Sequence, residues 1–107
     1  MHDEHIVVFV TASNEEEGAK IAQTLVQEGL CACCNITAVR SIYKWQGKVS
    51  DEKEVLCIIK TRRGLFDKLE KRVKELHSYE LPEIIGIKIK EGSREYLKWI
   101  DEVTGKL

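Results

Sequence analysis

The sequence predicts an α+β fold, with strands and helices following one another as β-α-β-β-α-β and an extra helix at the end. Three observations carry this. A continuous apolar run, His5 to Thr11, leads into a helical stripe that closes at Gly29. Two long strand-like runs then face each other across Gln46-Gly47. A second helical stripe, a fourth apolar run and a short capped helix complete the order. Split βαβ units of this kind form a ferredoxin-like sandwich, a four-stranded antiparallel sheet with two helices on one face. Right-handed crossovers place the first and third strands at its centre.

The first run is rich in β-branched and aromatic residues without polar interruption, which predicts a strand covered on both faces. Ser13 with Glu16 three residues later has the spacing of a capping box, so a helix is expected to start at Ser13. Ala19, Ile21, Ala22, Leu25 and Val26 form its apolar stripe, and Gly29 suits the left-handed residue that ends a helix. Leu65, Phe66, Leu69, Val73 and Leu76 repeat at helical spacing after Gly64. Pro82 disfavours helix at the residue before it, so His77 to Pro82 reads as a turn. Ile84 to Ile89 reads as the fourth strand, and Ser93 as the cap of a helix carrying Leu97, Ile100 and Val103.

The hairpin is the unusual element. Ala32 to Trp45 and Lys48 to Arg62 are each about 14 residues, or about 45 Å at ~3.3 Å per residue. A compact chain of this length is roughly 34 Å across. The hairpin therefore has to bend or project, and a projecting edge invites another chain. With a two-residue turn at Gln46-Gly47, residues whose numbers sum to 93 face each other. Cys34, Ile36 and Ala38 then share a core face with Val55, Cys57 and Ile59. The opposite face holds Cys33, Asn35, Thr37, Val39, Tyr43 and Trp45 with Glu54, Leu56, Ile58 and Lys60. That mixture of aromatic, aliphatic and charged groups suits a subunit interface.

The 107 residues are expected to form a single domain, 1–107, because no linker, repeat or low-complexity segment interrupts them. Basic and acidic residues balance at a formal charge of −1, so no nucleic-acid footprint is expected. No apolar stretch approaches the length of a membrane span. The first residues lack the pattern of a signal peptide, so a cytoplasmic location is expected. Cys31, Cys33, Cys34 and Cys57 are then expected to be thiols.

Few residues suggest chemistry. Thiolates favour soft metals, but alternation on a strand points Cys31 and Cys33 one way and Cys34 the other. Cys34 and Cys57 fit small buried hydrophobes. Cys33 lies on the mixed face. His77 ends a helix, either as a plain C-terminal residue or as a metal ligand or polar anchor in a cleft between subunits. His2 and His5 offer only adventitious metal contacts. Glu54 and Lys60 share the mixed face as cross-strand or solvated charges, or as part of a polar site. No nucleophile–base constellation, phosphate loop or dinucleotide fingerprint is present, so the chain is expected not to be an enzyme.

Several segments together resemble the CutA family of divalent-cation-tolerance proteins. They are Thr11-Ala12 with the acidic helix after it, Gly29 to Ile36, Ser41 to Lys48, Glu54 to Thr61, His77 to Glu83, and Tyr96 to Ile100. The resemblance spans nearly the whole chain. It implies a homotrimer packed through the long hairpins, in the structural class of the PII signalling proteins. It also implies a role in tolerance of copper or other divalent cations, with metal binding but no obligatory cofactor. Cys33 corresponds to the family cysteine, and Ser78 stands where many members carry proline. The family's intersubunit pocket maps onto Cys33, Tyr43, Trp45, Glu54, Lys60, His77 and Tyr79, with Cys33 and His77 as the metal ligands expected. The alternative is a PII-like sensor that binds a small anion or metabolite in the same cleft.

Overall fold

The structure, a computed structural model, describes residues 4–105, so His2 lies outside the described residues. Its elements are β1 (His5–Ala12), α1 (Glu15–Gln27), β2 (Cys33–Trp45), β3 (Lys48–Arg62), a 3₁₀ turn (Arg63–Leu65), α2 (Phe66–Leu76), β4 (Ile84–Lys88) and α3 (Arg94–Val103). The sheet is antiparallel throughout in the order β2-β3-β1-β4, with β1 and β3 central as the crossover rule requires. The fold is the ferredoxin-like α+β sandwich the sequence predicts.

The hairpin pairing runs from Cys33 opposite Lys60 to Trp45 opposite Lys48, and every pair sums to 93. Gln46 (φ 51°) and Gly47 (φ 78°) both have positive φ, as a type I′ turn requires. This turn matches the right-handed twist of the strands it joins, so the register holds to the tip. The molecule measures 45 × 25 × 22 Å, its long axis comparable to the length of one extended hairpin strand.

Two local expectations shift. The cap of α1 is Asn14, not Ser13: the Asn14 side chain accepts the Glu17 N–H at 2.8 Å. Ser13 instead donates its N–H and its hydroxyl to the Glu17 carboxylate, at 3.0 and 2.9 Å. At the other end of α1 the chain closes as a Schellman motif. Gly29 (φ 71°) donates to the Val26 carbonyl and Leu30 to that of Leu25. The second shift concerns β1. Ile6, Val8, Val10 and Ala12 are buried, whereas Val7, Phe9 and Thr11 on the other face are only half-buried. Within one chain the strand is thus fully covered on one face alone.

The core lies between that face and the first two helices, where Ile21, Leu25, Ile59, Leu69 and Val73 are fully buried. Helix α3 packs on the opposite face, at one end of the sheet. His5 and Asp101 meet at 2.9 Å, and the Arg62 Nε–H donates to the Thr104 hydroxyl at 3.0 Å. The rest of that face stays open, with Ile85 and Ile87 about half exposed.

Candidate functional site

The open face ends in a cleft of about 680 Å³ beneath the projecting hairpin. Tyr43 and Trp45 reach it from β2, Glu52 and Glu54 from β3, and Tyr79, Glu80 and Glu83 from the segment joining α2 to β4. Alternation explains the strand residues: Tyr43 and Trp45, like Glu52 and Glu54, are two apart and therefore share a face.

The α2–β4 segment is held by three contacts that link distant parts of the chain. His77 follows the last turn of α2. Its Nδ1 accepts the Tyr79 N–H at 3.0 Å, which leaves Nε2 to carry the proton donated to the Thr11 carbonyl at 2.7 Å. Both ring nitrogens are thus engaged, and the imidazole acts as a polar anchor between β1 and the turn. Glu17 of α1 accepts the Ser78 N–H at 2.8 Å in addition to its bonds from Ser13. Partial burial opposes ionisation of this carboxyl, but the Ser13 and Ser78 donors outweigh it and hold its pKa near about 2. The Tyr79 hydroxyl then donates to Glu54 at 2.6 Å. Glu54 is only 6% exposed, so this bond satisfies a carboxylate with little access to water. Burial and the same bond push the Tyr79 phenol well above its ordinary range.

The cleft is acidic. Glu52, Glu54, Glu80 and Glu83 line it, and no Lys or Arg is among its lining residues. Glu52 accepts the Tyr43 hydroxyl at 3.1 Å. Four carboxylates without a cation in one concavity create a negative potential that concentrates cations.

The residues singled out by the sequence fall into two groups. Tyr43, Trp45, Glu54 and Tyr79 line the cleft, and His77 anchors its wall. Cys33 and Lys60 pair with each other at the base of the hairpin. Glu54 and Lys60 are six residues apart on one strand, about 20 Å. There the Lys60 ammonium donates to the Asn35 side chain and to the Ile58 carbonyl, and the Cys33 sulfur lies 4.0 Å from the Asn35 side-chain oxygen. Cys33 therefore stands at the base of the hairpin, level with Lys60, while His77 reaches β1 at Thr11, level with Leu56, so the two are set apart within one chain. Among the described residues, no three His, Cys, Asp or Glu side chains converge closely enough to hold a metal. The cleft carboxylates suit hard-oxygen coordination of a divalent cation, whereas His77 would first have to give up a hydrogen bond.

Glu17, Glu52, Glu80 and Glu83 were not among the residues the sequence singled out. Glu52 was legible in principle, since it shares the parity of Glu54. Glu17 was not, because its role depends on contact with Ser78, 61 residues away.

Fold and site together define a class: a ferredoxin-like domain whose overlong hairpin roofs an acidic, aromatic cleft. A profile described as CutA1 divalent ion tolerance protein matches residues 6–103. The chain belongs to this family. A divalent-cation tolerance protein CutA from Thermus thermophilus is 49% identical over 100 residues, covering 92% of this chain and 97% of that protein. The crystal structure of CutA1 from Oryza sativa superposes with a TM-score of 0.93 at 43% identity, covering 97% of this chain and 96% of that one. The structure described as the periplasmic divalent cation tolerance protein CutA from Archaeoglobus fulgidus has a TM-score of 0.92 at 39% identity, covering 94% and 98%.

Proposed function

We propose that this divalent ion tolerance protein acts as a cytoplasmic homotrimer that binds a divalent cation, copper among them, in the cleft, where a neighbouring subunit completes the site. The observation that carries this reading is the cleft lining of four carboxylates with no basic residue. That lining opposes a small anion, the alternative ligand raised by the sequence. Assembly is supported by the open face, where Ile85, Ile87 and the half-buried Val7, Phe9, Leu56 and Ile58 form an apolar surface. The edge position of β2 and the projecting tip support the same reading. Four free cysteines fit a reducing compartment. The protein is proposed as a binder rather than an enzyme, because His77, the histidine beside the cleft, is committed through both nitrogens.

The test is calorimetric titration of the wild type and of Glu52→Gln/Glu80→Gln with Cu(II), Zn(II) and Mg(II). The double variant is expected to bind roughly 10-fold more weakly or worse, since ligand charge count tunes affinity. Unchanged affinity would remove the carboxylate site. Sedimentation equilibrium at the mass of three chains is the expected assembly result.

A further inference from the structure

The cleft carries aromatic surface that a bare metal ion does not use. Tyr43 and Trp45 line it from β2, and Tyr79 lines it from the α2–β4 segment. Tyr43 is 38% exposed and Trp45 39%, so two large rings on one strand stay open to solvent. The Tyr43 hydroxyl donates to Glu52 at 3.1 Å and that of Tyr79 to Glu54 at 2.6 Å, which fixes two of the three rings at their polar ends.

The carboxylates around these rings are spread rather than gathered. Glu52 is exposed on β3, and Glu80 and Glu83 are exposed on the α2–β4 segment. Glu54 is buried and adds its charge from behind Tyr79. Among the described residues, no three of them converge closely enough to hold a metal. A bare divalent ion needs oxygens closing to about 2.0–2.6 Å, so here it waits on donors from a neighbouring subunit. An organic polycation has no such requirement. Its charges are held apart by methylene spacers, so each can meet one carboxylate while the spacers lie against aromatic surface. An ammonium group over an aromatic face gains further from the ring quadrupole. The cleft volume of about 680 Å³ falls in the range of small-molecule sites. An uncharged aromatic ligand would bury these carboxylates without partners, which opposes it. Lys48 pairs with Trp45 at the hairpin tip but is not part of the lining.

We infer that the cleft binds a linear aliphatic polyamine, with its ammonium groups on Glu52, Glu80 and Glu83 and its methylene spacers against Tyr43, Trp45 and Tyr79. This rests on the cation preference proposed above for the same cleft, but needs no metal and no ligand from a second subunit. A polyamine and a divalent cation then exclude one another, so occupancy by one lowers the apparent affinity for the other.

The test is calorimetric titration of the full chain with spermidine and with putrescine, repeated with Mg(II) alone and with Cu(II) alone. Spermidine is expected to bind saturably, one per cleft, and more tightly than putrescine. The uncharged diol with the carbon spacer of putrescine is expected not to bind. Trp45→Ala is expected to weaken spermidine binding roughly 3-fold or more, the loss of one cation–π face, and Trp45→Phe to recover most of it. Glu80→Gln/Glu83→Gln is expected to weaken it roughly 5-fold or more, the loss of two exposed ion pairs. Glu70→Gln/Glu75→Gln makes the same change of charge on α2, outside the cleft, and is expected to bind spermidine as the wild type does. No saturable binding of spermidine by the wild type would overturn the inference. So would an equal loss in Glu70→Gln/Glu75→Gln, or wild-type affinity in Trp45→Ala, since either would reduce the effect to a diffuse field. Metal binding without spermidine binding would remove this inference and leave the carboxylate metal site standing. Spermidine binding without metal binding would do the reverse.

Discussion

The base and the tip of the hairpin obey one register and meet different surroundings. At the base, Val55, Cys57 and Ile59 alternate with Glu54, Leu56 and Ile58, and the first set disappears under the helices. At the tip the pairing continues without a break, yet Ile42 is 64% exposed and Val49 72% exposed. The β2–β3 ladder is therefore continuous from base to tip, whereas β1 pairs with the second edge of β3 only from Val55 to Arg62. The tip differs from the base in that unpaired edge and in having nothing packed on its side chains. Strand pairing alone does not bury apolar surface, and a hairpin extended past its helices carries surface that another body has to cover.

The sharpest break in this comparison is a cavity at the base. Ile59→Ala removes a fully buried side chain and is expected to cost about 3 kcal/mol of unfolding free energy, measured by denaturant titration. Next comes the junction between base and tip, where Tyr79 serves the buried Glu54. Tyr79→Phe leaves that carboxylate without its phenol and is expected to cost about 2 kcal/mol in the same assay. A loss below the scatter of the assay would mean that water reaches Glu54 freely.

A smaller effect follows the pH. The Glu17 carboxyl has its folded value depressed from 4.5 to about 2, so its contribution is present above pH 4.5 and is lost as the pH falls toward 2. Discounted for solvent exposure, the contribution is about 1 kcal/mol. The stability gap between wild type and Glu17→Gln is expected to be open at pH 6 and closed near pH 2. The smallest effect on the fold belongs to the tip itself. Ile42→Ser with Val49→Ser is expected to change the stability of the folded chain by less than about 0.5 kcal/mol. The same pair is expected to shift sedimentation toward the monomer. A tip variant that unfolds the domain as Ile59→Ala does would erase the distinction between the two ends.

Much of the hairpin was legible because its determinants are local. Gln46-Gly47 sets the turn, the turn sets the register, and the register assigns Cys34 and Cys57 to one face and Cys33 to the other. Gly29 was legible for the same reason, as a left-handed position at a helix end. Local reasoning failed by one residue at Ser13, where two polar residues in succession each qualified as the cap. Asn14 took the role because its oxygen reaches the Glu17 N–H, while Ser13 was drawn to the Glu17 carboxylate.

The candidate site was less legible. Placing Glu54 and Lys60 on one face was correct, but six residues of strand hold them far apart, and only the cleft reveals which of the two belongs to it. His77 looked available as a ligand from its position at the end of a helix. Its partner is a carbonyl on β1, 66 residues earlier in the chain. No periodicity or spacing encodes that contact.

By itself, the sequence determined the order of elements, the register of the long hairpin, the central place of β1 and β3, and which side chains of the paired strands share a face (Cys31, expected on the side of Cys33, precedes β2 and is buried in the core). These follow from dihedral preferences and from the two- and 3.6-residue periods, which act between near neighbours. The tertiary structure alone decided that α3 covers only one end of the second face, that Glu17 and His77 tie the α2–β4 turn to two other elements, and that four carboxylates line one cleft. Those outcomes depend on packing between segments far apart in the chain, where a shift of a few ångströms decides whether a group is a ligand, an anchor or part of the core.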